Sequence, residues 1–288
     1  MTTNTAVQHT LGRAVNATGV GLFTAQRTTI TLHPAMASSG LVFRRSDLPG
    51  SPEMPARIAL AIDTPRRTTL ASGEQRIETT EHVLSALAGM GIDNAVIELN
   101  AMEPPMFDGS AARYVEMISD AGTQAQAEQQ RVFQVREAFT IDENGAMIQV
   151  MPGADDALEL AYSFDGGSDW PEATRFQTVH MVLTPEHYAK DIAPARTFSL
   201  LAQAQAARAA GLFQHVTPKD MLVIGPDGPV DNALRFSDEP ARHKLLDLLG
   251  DLALAGVTVR GQIHATRSGH NLNRALAKEI ARRANGNT

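Results

Sequence analysis

The order helix, glycine stop, strand occurs in both halves of this chain, and it sets the strongest limit on the fold. In the first half, TTEHVLSALAGMGIDNAVIELN predicts a helix capped by Thr79 or Thr80, with Val83, Leu84, Leu87 and Ala88 at helical spacing. Gly89 and Gly91 stop it, and AVIEL continues as a strand. In the second half, ARHKLLDLLGDLALAG predicts a helix ending at Gly256, VTVRGQI a strand, HATRSGH a loop, and NLNRALAKEIARR a closing helix. Aligning His82 with His243 matches helix to helix and strand to strand, so the expected fold is a duplicated α/β unit. The repeat is one of element order, with little identity between the halves.

The remaining segments agree with an α+β chain of two related domains. TTITLHP, GLVFRR and RIALAI read as short strands; FDGSAARYVEMISDAG predicts a helix with Ser110 as its N-cap. LLAQAQAARAAGLF, from Leu200, predicts a helix. Apolar periodicity lapses in AGTQAQAEQQR, which reads as a linker near residue 128 and divides the chain into domains 1–128 and 129–288. With 288 residues and 43% hydrophobic content, each domain has enough apolar side chains for its own core.

Composition also excludes several classes of function. The net charge of -7 and the absence of a Lys/Arg run argue against a nucleic-acid partner, which clustered positive charge would bind. With no cysteine, any transition-metal site must use His and carboxylates. MTTNTAVQHT lacks the basic and apolar regions of a signal peptide, and no run reaches the roughly 18 apolar residues of a membrane span. A cytoplasmic enzyme without stable membrane insertion is the expectation; nothing in the sequence bears on oligomeric state.

The segment SDEPARHKLLDLLGDLALAG, from Ser237, carries the chemistry. At about 100° per residue, His243, Lys244, Asp247 and Asp251 share a narrow arc while leucines occupy the rest. Such a stripe suits a solvated face, and equally a polar edge bordering a cleft. His243 and Asp247, one turn apart, can converge on one cation at ligand distances of about 2.0–2.2 Å. His82 is the candidate third ligand, and Glu81 beside it points elsewhere and can reach a water. Two histidines, one aspartate and a water make a catalytic metal geometry in which the ion acidifies its water and a carboxylate takes the proton. Each pair alone is compatible with chance; their matching positions in two half-repeats are harder to dismiss.

TTEHVLSALAGMGIDNAVIELN, MFDGSAA, ARTF, LRFSDEPARHKLLDLLGDL and SGHNLN together resemble the zinc-dependent UDP-3-O-acyl-N-acetylglucosamine deacetylase family, which acts at the first committed step of lipid A synthesis. The resemblance runs from ATGVGLFT to the last helix. It implies two domains, each a sheet packed on helices, with the active site between the helical layers. It implies one Zn2+ per chain on His82, His243 and Asp247, and Glu81 as general base. His270 would be the charged histidine serving the oxyanion or leaving amine, Asp251 its orienter, and Thr197 an oxyanion donor. Lys244 would meet the nucleotide phosphate of an acylated nucleotide-sugar, and Phe198 would stack on its uridine or sugar. An insert at about 198–224 would form an acyl tunnel lined by Leu200, Leu201, Leu212, Phe213, Met221 and Val223.

Local readings stand beside these roles. Thr197 suits a turn hydrogen bond, Phe198 and the tunnel residues suit packing, and Asp108, Gly109 and Ser110 suit a turn before a helix cap. His9, His33, His180, His187, His215 and His264 have no partner pattern. Family members usually carry GLHTG where this chain has GLFTA, which places Phe23 and Ala25 there. A usual His-Pro pair is replaced near Gly166 in SFDGGSDW, and a usual glycine pair near His215 in FQHVTPKDMLVIG. Three functions follow: the lipid A pathway deacetylase, a relative cleaving another N-acyl substrate, or a non-catalytic ligand binder. The complete set Glu81, His82, His243, Asp247 and His270 argues against the third.

Overall fold

The computed structural model describes residues 6–153, 156–218 and 220–286. The first half runs β1 (Val7–Leu11), β2 (Val15–Val20), β3 (Arg27–Pro34), β4 (Leu41–Arg45), β5 (Glu53–Pro55), β6 (Ala61–Ile62), β7 (Thr69–Ser72) and β8 (Gln75–Ile77). It continues with α1 (Glu81–Gly89), β9 (Ala95–Leu99), α2 (Ala112–Ala121) and β10 (Thr123–Gln129). The second half begins β11 (Val132–Gln134), β12 (Phe139–Glu143), β13 (Ala146–Met151), β14 (Leu158–Asp165), β15 (Phe176–Val182) and a short α3 (Pro185–His187). It ends with β16 (Phe198–Leu200), α4 (Leu201–Ala209), β17 (Leu222–Gly225), β18 (Gly228–Pro229), α5 (Glu239–Ala253), β19 (Thr258–Thr266) and α6 (His270–Ala284).

The duplication is explicit in strand pairing. One sheet has the order β2-β3-β9-β4-β5, with neighbours antiparallel, antiparallel, parallel and antiparallel. The other has β12-β13-β19-β14-β15 with the same succession of senses, and β11 adds to β19. Parallel neighbours need a crossover. It contains α1 between β4 and β9, and α5 between β14 and β19. Side chains of β3 and β14 alternate between buried and less buried, so each sheet turns one face to the helices. Helix α2 lies on β2, α5 on β14 and β15, and α6 on β12 and β13.

Helices α1 and α5, one from each half, pack on each other and join the two units. A Cβ at Gly250 would fall 2.1 Å from the Glu81 carbonyl oxygen, so only glycine permits this approach. Gly89 similarly leaves room for the Tyr188 ring, 2.3 Å from where its Cβ would stand. The apolar core runs without interruption through the seam, from Leu84 and Leu87 to Leu245 and Leu249. His243, Asp247 and Asp251 on α5 are buried with it, so the polar stripe is not a solvated face.

Several local expectations change. Thr80 is the N-cap residue of α1 but makes no side-chain cap bond: its hydroxyl donates to the Thr68 carbonyl, and the Thr79 hydroxyl donates to Glu103. The N-cap of α2 is Ala111 rather than Ser110, which stands one residue earlier and accepts the Ala112 N–H. RIALAI begins as a helical turn, Ile58–Leu60, and only Ala61–Ile62 is extended. The strand β19 continues through His264 and Thr266, which had read as loop, because it pairs on both sides with β13 and β14. The polar run read as a linker is strand β10, paired with β1 and bearing mostly exposed side chains, so no apolar period marks it. No helix among the described residues is long and apolar enough to cross a membrane.

Gly250→Ala should cost about 1–3 kcal/mol, the usual penalty for overpacking a tight contact. Urea unfolding would measure it; an unchanged midpoint would show that the α1–α5 contact is loose.

Candidate functional site

The close helix pair brings together side chains from the two halves. Glu81 and His82 open α1, and both are buried. His243 and Asp247 lie one turn apart on α5. Asp247 Oδ1 is 3.4 Å from His243 Nε2 and 3.9 Å from His82 Nε2. The imidazole rings are 5.0 Å apart at 73°. One ligand atom from each of His82, His243 and Asp247 lies within 4.8 Å of the others, a group able to hold a metal ion.

Surrounding contacts suit that use. His243 Nδ1 is 3.0 Å from the Ala195 carbonyl, which leaves Nε2 facing Asp247. Lys244 Nζ donates to Asp247 Oδ2 at 2.8 Å, which leaves Oδ1 for the imidazoles. His82 Nδ1 is buried without a hydrogen-bond partner among the described residues. Burial, with repulsion from His243, pushes the His82 pKa down to about 3, and burial lowers that of His243 as well. Both rings are therefore neutral donors at neutral pH. Burial works against the Asp247 carboxylate, but Lys244, His243 and His270 hold it well below the usual range. Two neutral nitrogens and a carboxylate oxygen fit a divalent transition ion.

A second group adjoins the first. Glu81 Oε2 accepts the Thr68 N–H at 3.0 Å, and Oε1 lies 3.8 Å from His270 Nε2. His270 Nδ1 is 2.8 Å from Asp251 Oδ2, which also accepts from Asn273 at 3.0 Å. The Thr68 hydroxyl donates to Asp251 Oδ1. Burial pushes Glu81 up to about 7, against the pull of His270. Burial opposes the charge on His270, yet Asp251, by charge and hydrogen bond, and then Glu81 raise it to about 9. A poised carboxyl and an imidazolium thus face the same space.

That space is a cleft of about 1040 Å³ lined by Glu81, His82, Thr197, Phe198, His243, Lys244, Asp247 and His270. Leu201, Phe213, Met221 and Val223 from the predicted insert also line it, with Leu22, Phe23 and Met106 packed beside Phe213 and Met221. Leu200 lies outside the lining, and Leu212 is 55% exposed. Phe198 packs on Trp170 at 5.4 Å and on His243 at 6.0 Å, and Lys244 Nζ stands 5.5 Å over its ring. Thr197 joins Gly109 and Leu222 through its backbone and lines the cleft with its side chain. Lys244 is tied to Asp247 rather than standing free.

Thr68 and Asn273 complete the Glu81–His270–Asp251 group without having been singled out by sequence; Thr68 in RRTT carries no pattern, whereas Asn273 stood inside SGHNLN. Glu103 is fully buried and accepts from Phe23 N, Thr24 N, Thr24 Oγ1 and Thr79 Oγ1, tying the segment before α1 to the GLFTA loop. In that loop Ala25 adopts φ 56°, the left-handed conformation that favours the glycine usual there. His215, patternless in sequence, reaches the Gly21 carbonyl with Nε2 at 3.1 Å, and Phe23 meets Phe213 edge-on at 5.3 Å. The insert and the loop therefore close one wall of the cleft together.

A buried pair of imidazoles and a carboxylate, with a second carboxylate and a cationic imidazole alongside, defines the donor set of a metal-dependent hydrolase. The chain belongs to the LpxC family, UDP-3-O-acyl N-acetylglycosamine deacetylase, whose family model matches residues 8–282. It is 42% identical over 278 residues to the UDP-3-O-acyl-N-acetylglucosamine deacetylase of Nostoc sp., covering 95% of this chain and 98% of that protein. It is 40% identical over 281 residues to the protein of that name from Trichormus variabilis, with 95% and 98% covered. The one from Legionella pneumophila is 37% identical over 281 residues, with 95% and 89% covered.

In the metal-free protein the His270 ring should titrate near 9, well above the ordinary 6.5, as followed by imidazole NMR. Its contribution to stability is then complete below about 6.5 and is lost as pH rises through about 9. Asp251→Asn removes the largest charge favouring the imidazolium and should move the midpoint to lower pH; an unmoved midpoint would refute the pairing.

Proposed function

We propose that this chain hydrolyses the N-acetyl group of UDP-3-O-acyl-N-acetylglucosamine, releasing acetate and a free amine in lipid A biosynthesis. The observation that carries this reading is the meeting of His82, His243 and Asp247 within 4.8 Å, in a chain that the deacetylase family model matches over residues 8–282. In this reading the three residues hold one Zn2+ per chain. The ion supplies a Lewis acid that polarises the acetamide carbonyl and lowers the pKa of water toward about 7.

The remaining steps belong to side chains. Glu81, raised toward neutrality by burial, takes a proton from the attacking water as the oxygen bonds to the carbonyl carbon. The carbonyl oxygen gains negative charge, and the Thr197 hydroxyl and protonated His270 donate to it. Asp251, itself held by Thr68 and Asn273, keeps the His270 ring cationic and oriented. The C–N bond then breaks, with a proton passing to the amine from Glu81 or His270. Phe198 flanks the sugar or uridine, and Lys244 serves the nucleotide phosphate as well as Asp247. Leu201, Phe213, Met221 and Val223 receive the acyl chain, with Leu200 and Leu212 behind or beyond that wall.

The same reading places the domain boundary at 128/129, the first domain supplying Glu81 and His82, and the second supplying the other residues with its insert at about 198–224. It assigns a cytoplasmic location with transient membrane contact at the substrate's lipid tail, a small-molecule partner and no nucleic acid.

Acetate release should be robust with the acylated UDP-sugar and weak with the same sugar lacking its acyl chain. Glu81→Ala should lower kcat by about 10²–10⁴-fold while metal content stays unchanged. Equal turnover of both sugars, or an active Glu81→Ala enzyme, would overturn the assignment.

A further inference from the structure

A second cavity, of about 500 Å³, lies where the two halves meet beside Ala88 and Gly91, at the end of α1 opposite Glu81. Three arginines line it: Arg57 from the first half, and Arg131 and Arg260 from the second. Arg57 is the unusual one. Its guanidinium lies between two glycines: a Cβ at Gly40 would stand 2.6 Å from Nη2, and one at Gly256 would stand 2.8 Å from Cζ. Both backbones leave the space that the guanidinium fills. Among the described residues the guanidinium makes one hydrogen bond, from Nη1 to the neighbouring Ala56 carbonyl at 3.2 Å, and no carboxylate among them pairs with it. Burial and then the repulsion of Arg131 lower its pKa.

The other charged groups around the cavity have partners, but only weak or neutral ones for the two arginines. Arg131 donates to the Asn285 side chain at 2.6 Å, and Arg260 stands 3.5 Å from Asp156, which is largely exposed. Asp93 also lines the cavity, but its carboxylate accepts from His9 N at 2.7 Å and from Gln130 at 3.1 Å. A partly buried guanidinium beside a second one, with an open cavity before them, lacks among the described residues the paired anion that normally accompanies such charge. Guanidinium forks match phosphate oxygens in pairs.

We propose that this cavity binds a phosphate-class oxyanion between Arg57, Arg131 and Arg260, away from the catalytic cleft. The site is built from both halves and spans the seam that α1 and α5 close, so an anion there ties the two units together. It stands apart from the deacetylase reading and survives that reading's failure.

The test is titration of the metal-loaded protein with inorganic phosphate, read by calorimetry and by melting temperature. The wild type should bind phosphate and melt higher in its presence, with both effects weakening as sodium chloride is added. Arg57→Ala should lose at least about tenfold in affinity, equivalent to about 1.4 kcal/mol, and Arg57→Lys less. Lys244→Ala, which removes the cation that the proposed function gives to the nucleotide phosphate, should leave the Arg57-dependent part of the phosphate binding in place. Should Arg57→Ala fold poorly, Arg131→Ala, on the same cavity, provides the same comparison. A wild type that binds no phosphate, or phosphate binding that is lost in Lys244→Ala and kept in Arg57→Ala, would overturn the proposal.

Discussion

Everything chemical in this molecule follows from how closely α1 approaches α5. Gly250 meets the Glu81 backbone where any side chain would collide. That contact sets His82, from one half of the duplicated chain, against His243 and Asp247 from the other. Neither half contains the three donors. The shared apolar core through Leu84, Leu87, Leu245 and Leu249 offsets the cost of burying so many polar groups at the seam.

Burial then separates the roles of groups that are chemically alike. Glu81 and Asp247 are both carboxylates in one dry pocket, yet Glu81 is pushed up toward 7 while Lys244 and the imidazoles hold Asp247 low. One is suited to exchange a proton and the other to remain an anion. The imidazoles divide in the same way. His82 and His243 are kept neutral by burial, whereas His270 is kept cationic by Asp251. His270 has a carboxylate at hydrogen-bond distance that outweighs its burial, whereas for His82 and His243 burial outweighs the pull of Asp247, and that difference makes two kinds of histidine.

Much of this was legible in the residues. The order helix, stop, strand in the two halves anticipated a duplicated α/β unit, because period and glycine stops are local signals, whereas the shared succession of strand senses came only with the fold. Equivalent positions of His82 and His243 anticipated their meeting, since a duplicated unit folded about a common seam brings equivalent helices together. The stripe on α5 was legible as a pattern, but whether it met solvent or protein depended on its partner α1. What escaped was held by contacts distant in sequence. Thr68 reaches Asp251 across most of the chain, Glu103 gathers the loop and the turn at Thr79, and Arg57 sits on two glycines from different halves. Strand β10 escaped because its pairing is made by backbone while its side chains stand in water.

Anomalous diffraction at the zinc absorption edge, from crystals of protein purified without added metal or chelator, addresses the seam's purpose most directly. A single peak per chain, at bonding distance from His82, His243 and Asp247 together, is the expected result. A peak bound elsewhere, or fully active protein with no metal among these three side chains, would contradict it.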